Sequence, residues 1–135
     1  MLFRSRRELR DLALVALGAV PGALLRWRLS DSLGGTAGAA DGITVANLLG
    51  SLVLGLLLAQ PGPGGGRMLA LGIGFCGSLT TFSSWMLQLA DTLQASRPLA
   101  ALWVLLIGLA GGVAMVALGH RIGTALRRRQ RRRDR

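Results

Sequence analysis

Residues 74–85 read G-F-C-G-S-L-T-T-F-S-S-W. Thr80, Thr81, Ser83 and Ser84 place four hydroxyls in five positions, shortly after Gly74 and Gly77, in the middle of an apolar segment from Met68 to about Leu93. Hydrocarbon offers no water to peptide N–H and C=O groups, so an interrupted helix at membrane depth is tolerated only where protein or a hydrated cavity covers it. In transporters such breaks turn carbonyl oxygens and helix ends toward ions. The alternative is that these hydroxyls merely bond back to carbonyls one turn earlier. Two further polar residues lie inside apolar runs, and each has two readings. Asn47 is either a hydrogen bond across a helix interface or part of a polar pathway, where its amide offers the two donors an anion needs. Arg26 either snorkels to the headgroups or projects into an aqueous vestibule as a fixed positive charge. Arg28, at the boundary, reads as a snorkelling residue.

Other chemistries lack parts. A hydrolase built on Ser78, Ser83 or Ser84 needs a base within hydrogen-bond reach, and the single histidine, His120, stands at a helix end beside Arg121. A lone histidine and a lone Cys76 also argue against a histidine-rich metal site and exclude an internal disulfide. A four-helix multidrug or proton-coupled transporter is the main alternative, but it requires an acid inside the membrane. Glu8 and Asp11 precede the first apolar run, Asp31 and Asp41 fall in a predicted loop, Asp91 is near the end of the third run, and Asp134 is in the tail.

The elements that must position these residues follow from composition. Of 135 residues, 51% are hydrophobic and the mean hydropathy is +0.50, well above a soluble domain of this size. A helical span takes about 20 mostly apolar residues. Four stretches qualify: about Leu12 to Leu29, Ile43 to Gln60, Met68 to Leu93, and Leu99 to Gly119. The reading is an all-α integral membrane protein of four helices, the third broken mid-membrane. Residues 1–11 form a basic N-terminal segment, 12–119 the four-helix unit and 120–135 an Arg-rich tail, which is expected to be disordered or to lie on anionic headgroups. The first run is read as an uncleaved helix, kinked at Pro21, with Gly18 and Gly22 permitting close approach. Residues 30–42 read as a Gly- and Ala-rich loop, and 61–67, with two prolines and four glycines, as a turn. The fourth run, with Gly108, Gly111 and Gly112, reads as a packing helix.

With these motifs in order, G-A-L-L-R-W at 22–27, N-L-L-G-S at 47–51 and G-F-C-G-S-L-T-T-F-S at 74–83, the chain resembles the Fluc/CrcB fluoride channels over nearly its whole length except the tails. The resemblance implies an antiparallel dimer of four-helix subunits with two fluoride pores. It implies a structural sodium ion at the dimer centre, not transported, held by backbone carbonyls at the third-helix break; the matching positions are Gly77 and Thr80. It implies an ion pathway past Arg26, Asn47, Phe82, Ser83 and Trp85, leading fluoride passively out of the cytoplasm without enzyme chemistry. A ring edge is the positive end of an aromatic quadrupole, which suits Phe82 to a small anion.

Four positions depart from the family's pattern. Trp85 stands where a second phenylalanine is usual, Ile43 where a threonine is, and Trp103 and Ile107 where a tyrosine and a serine face the pore. Fluoride gives up hydration only where donors replace it, so the pore lined by this chain's own third-helix rings is expected to conduct poorly. Charge points the same way. All sixteen basic residues are arginine and the net charge is +10. With four spans, Arg4, Arg6, Arg7, Arg10, Arg67 and the eight arginines from Arg121 onward share one side, against Arg28 and Arg97 on the other. Arginine near span ends is retained in the cytoplasm, so both termini are expected on the cytoplasmic side of the cell membrane. A single fixed orientation then calls for a second, oppositely inserted homologue as the dimer partner.

Overall fold

A computed structural model of the protein describes residues 6–34, 39–62 and 64–133. Every regular element among them is helical. Helix α1 (Arg6–Gly34) is followed by α2 (Ala39–Leu58). A single turn, α3 (Gly65–Arg67), runs on into a π-helical stretch (Met68–Cys76) and another α-turn, α4 (Gly77–Leu79). Two extended residues separate it from α5 (Phe82–Gln94). Helix α6 (Pro98–Leu106) continues through a π-helical segment (Ile107–Gly111) into α7 (Gly112–Arg133).

Three helical units, Arg6–Leu33, Gly65–Gln94 and Pro98–Arg133, are long and apolar enough to cross a membrane, and Gly42–Leu58 is a shorter apolar helix. The few buried apolar residues are mostly small, among them Ala46, Ala59, Cys76 and Ala101, while Leu17 and Val113 are more than 70% exposed. Large side chains outside and small ones inside are the reverse of a water-soluble core. They fit a protein whose solvent is lipid, where small residues let helices approach closely.

Glycines mark the closest crossings. A Cβ on Gly18 would collide with the Ala70 carbonyl, and one on Gly22 with Ser78 Oγ and the Phe75 carbonyl. As position rises along α1 it rises along the third helical unit, so the two run parallel. On the other side α2 and α7 also run parallel, with Gly111 against Leu48, Gly55 against Val116, and Gly123 against Ala59. Gly42 meets the Leu29 carbonyl, which makes α1 and α2 antiparallel. One end of the bundle therefore gathers Arg6, Arg7, Arg10, Arg67 and the arginines from Arg121 to Arg133. Arg28 and Arg97 lie toward the other end.

The structure corrects two expectations. The loop expected over residues 30–42 is mostly helix: α1 runs through Gly34 and α2 starts at Ala39. At the start of α2, Gly42 lies directly against the backbone of Leu29 and Ser30, where a side chain would collide. The tail is not disordered as far as Arg133; it is the end of α7. Arginine is a good helix former, Thr124 Oγ1 donates to the His120 carbonyl at 2.8 Å, and Arg127 Nη1 donates to the Ala59 carbonyl at 2.8 Å, tying the charged helix to the end of α2. The first five residues of the basic N-terminal segment, residues 35–38 of the expected loop, Pro63, and the last two residues of the tail, Asp134 among them, lie outside the described residues.

Candidate functional site

The third helical unit stops at Thr80, whose φ and ψ of −81° and 153° are extended, as are those of Thr81 at −147° and 124°. Leaving the helix takes away the intrahelical partners of its last carbonyls. Thr80 N still closes on the Cys76 carbonyl at 3.0 Å, and Thr80 Oγ1 donates to the same oxygen at 3.0 Å. The next amide does not follow. Thr81 N, which a continuous helix would aim at the Gly77 carbonyl, donates instead to Asn47 Oδ1 at 2.7 Å, while Asn47 Nδ2 donates to the Thr81 carbonyl at 3.1 Å. The amide of Asn47 thus copies a strand's pairing with one extended residue and satisfies both of its backbone groups. In hydrocarbon each such group left alone costs several kcal/mol, so a side chain with a donor and an acceptor on one planar fork suits this place. One Asn47 N–H remains beyond the pair.

The break is also closed from its far side. Thr81 caps α5 by accepting from Ser84 N at 3.3 Å and donates to Ser84 Oγ at 3.2 Å, with Ser83 Oγ 3.3 Å away. Ser78 Oγ donates to the Ala19 carbonyl at 2.8 Å and lies 3.2 Å from the Phe75 carbonyl, fastening the last α-turn to α1.

Around the break lies a cavity of about 380 Å³, lined among others by Asn47, Gly77, Thr80, Thr81, Phe82 and Trp85. The sequence-predicted residues therefore divide. Asn47, Gly77, Thr80, Phe82 and Trp85 come together at one cavity. Ser83 does not line it and stands exposed beside Thr81. Arg26 is half-exposed one helical turn beyond Gly22; since Gly22 meets Phe75 and Ser78, the rise of about 5.4 Å per turn carries Arg26 to the level of the break.

The two rings behave differently. Phe82 is 71% exposed, whereas Trp85 is 7% exposed and donates its indole Nε1–H to the Val104 carbonyl at 3.1 Å. Its ring covers Gly108, where a Cβ would come within 2.5 Å of the indole. The rings meet edge-on, centroids 5.8 Å apart and planes at 63°. Trp103 and Ile107 stand exposed on the fourth helical unit, and neither they nor Ile43 line the cavity. Sequence reasoning missed Gly50, which receives the Thr80 methyl, and read Gly108 as a packing glycine without its partner, the Trp85 ring. It also missed Thr81 as the residue Asn47 holds, because the two are 34 positions apart.

Comparison with known proteins places these residues in a lineage. Residues 13–120 match the family model described as CrcB-like protein, Camphor Resistance (CrcB). The chain is 48% identical over 122 residues, 90% of its length and 87% of the other's, to a protein of Parasynechococcus marenigrum (strain WH8102) named fluoride-specific ion channel FluC 2. It is 36% identical over 116 residues to a fluoride-specific ion channel FluC of Pseudomonas putida (strain W619), covering 82% of this chain and 91% of that one. A FluC of Neisseria meningitidis serogroup C (strain 053442) matches at 34% over 113 residues, 84% of this chain and 94% of the relative.

Proposed function

The chain belongs to the CrcB-like family, and from that premise we propose that it is one subunit of a fluoride-specific ion channel that lowers cytoplasmic fluoride by passive export. The relatives are channels, not enzymes. The observation that carries the proposal is the cavity at the Thr80–Thr81 break, where Asn47 holds the extended backbone beside the exposed ring of Phe82. Fluoride sheds water only against replacement donors. The remaining Asn47 N–H and the positive edge of Phe82 are of that kind, with Arg26 at the same level as a fixed positive charge.

The finer parts of the reading are proposals too. The chain crosses the cell membrane four times, the fourth crossing being α2, whose 20 residues span about 30 Å. Both termini face the cytoplasm, which the gathering of arginines at one end of the bundle supports. A structural sodium ion, not transported, is held by the carbonyls of Gly77 and Thr80. Two features of this chain fit a hard cation there: Asn47 has taken the amide that would occupy the Gly77 carbonyl, and beyond its own helical turn no described residue comes within 4 Å of a Cβ built on Gly77. That open side is where the second subunit of an antiparallel dimer would complete the ligand shell.

The partner is an oppositely inserted homologue. Support comes from Trp85, whose only side-chain N–H is committed to Val104 and whose ring is packed over Gly108, so that it brings no free donor to the cavity. Liposomes carrying this chain, with and without a second homologous subunit, test the whole reading. Fluoride efflux should be rapid with both subunits and slow with this chain alone, with chloride retained in either case. Chloride leaving as readily as fluoride would refute the function. Full efflux from this chain alone, inserted in both orientations, would refute the heterodimer.

A further inference from the structure

The fourth helical unit carries a second surface, which meets the cavity at the break only at Gly108 and Ser51. An apolar groove of about 690 Å³ runs along it from Gly108 to Arg121, with Leu109, Val113 and Ala117 among its walls and Leu58 contributed by α2. Thirteen residues of helix measure about 20 Å. One leaflet's share of a hydrocarbon core of about 30 Å is about 15 Å, so the groove has the length of an acyl chain plus its ester region.

At the groove's end the chemistry changes abruptly. His120 and Arg121 belong both to the groove and to a second hollow of about 820 Å³, which Thr124, Arg128 and Arg132 also line. Among the described residues no acidic side chain lines either space. Arg127 is not part of it: its guanidinium is bound to the Ala59 carbonyl and holds the charged turns against α2. The basic rim is therefore fixed in position relative to the apolar groove.

We infer that this composite surface seats an anionic phospholipid, one acyl chain in the groove and the phosphate against Arg121 and Arg128 with His120 beside it. Charge decides the headgroup class. A zwitterionic lipid brings its own cation into a rim of arginines with no carboxylate to receive it, whereas a net-negative headgroup leaves the arginines' charge answered. The inference rests on the chain's spanning a membrane, not on its passing fluoride.

Lipid retention by the delipidated full-length protein in detergent tests it, with long-chain phosphatidylglycerol, long-chain phosphatidylcholine and inorganic phosphate as probes. The parent should hold phosphatidylglycerol more tightly than phosphatidylcholine, on the order of tenfold, and inorganic phosphate should not displace it. Arg121→Gln combined with Arg128→Gln should bring the two lipids level. Ala117→Trp, at an exposed position, should lower retention of both with helix content unchanged. Equal retention by the parent, a preference that survives the arginine changes, or displacement by phosphate would overturn the inference. So would an Ala117→Trp protein that keeps its lipid but loses its partner subunit, because the groove would then be a subunit interface.

Discussion

The third and fourth helical units both depart from regular α-helix, and they do so in opposite ways. At Thr80–Thr81 the helix opens, backbone groups lose their helical partners, and Asn47, Ser84 and Thr80's own hydroxyl replace them. At Ile107–Gly111 the helix only widens into π geometry. There the backbone stays bonded along the chain and the one added polar contact is the Trp85 indole on the Val104 carbonyl. Polar side chains gather where backbone is freed, and an apolar ring suffices where it is not. The first departure can offer oxygen and N–H groups to ions. The second offers a flat seat for a ring.

The sharpest way to break this contrast is Asn47→Leu. It leaves Thr81 N–H and C=O without partners in a low-dielectric setting, at about 1–3 kcal/mol for each group. Thermal unfolding in detergent should show a loss near the sum of the two, and fluoride efflux should vanish. An Asn47→Leu protein as stable as the parent would mean that water, not Asn47, satisfies the break.

Gly77→Val separates folding from function at the same place. Valine is no worse than glycine in a helix, the backbone there is right-handed α with φ and ψ of −64° and −30°, and among the described residues nothing beyond its own helical turn lies within 4 Å of the new side chain's Cβ. Stability of the isolated chain should change by less than about 1 kcal/mol, while assembly or efflux is lost. Efflux at the parent's rate would show that neither a cation nor a partner subunit approaches Gly77.

Gly108→Ala probes the widened helix. Its Cβ would meet the Trp85 ring, and overfilling of this kind costs about 1–3 kcal/mol. Adding Trp85→Phe should recover most of that loss, less the hydrogen bond to Val104. A lack of recovery, measured by the same unfolding experiment, would mean that Gly108 is needed for the π geometry itself and not as the seat of the ring.

Much of this was legible in the chain. The break could be read because hydroxyls and glycines inside an apolar run have few other uses, and Asn47, Phe82 and Gly77 could be named because residue type alone sets them apart. Their mutual geometry could not. That Asn47 takes the Thr81 amide depends on how α2 crosses the third unit, where Gly50 lies against Thr80 and Leu79. The same limit explains the tail. A run of arginines looks unstable as an isolated helix, yet α7 is already nucleated in the apolar segment and is pinned by Arg127 to α2. Trp85 was read as part of the pathway, and the structure adds what periodicity cannot carry: a hydrogen bond to the next helix, 19 residues on.

Thr80→Ser should have the smallest effect, and its smallness is informative. If Thr80 acts through its carbonyl, the side chain matters only for packing and for the bond from Oγ1 to the Cys76 carbonyl. Serine keeps that hydroxyl. What it gives up is the methyl lying against Gly50, a loss of about 1 kcal/mol. Efflux within about fivefold of the parent is expected on that energy scale, with the same dependence on sodium during preparation. The companion change Gly50→Ala drives a Cβ into that methyl and should be destabilising alone, yet nearly harmless together with Thr80→Ser, because the serine vacates the space. A Thr80→Ser channel that lost its sodium dependence would shift the ligand role from the carbonyl to the side chain. The opened helix would then differ from the widened one in side-chain chemistry alone, with no contribution from its freed backbone.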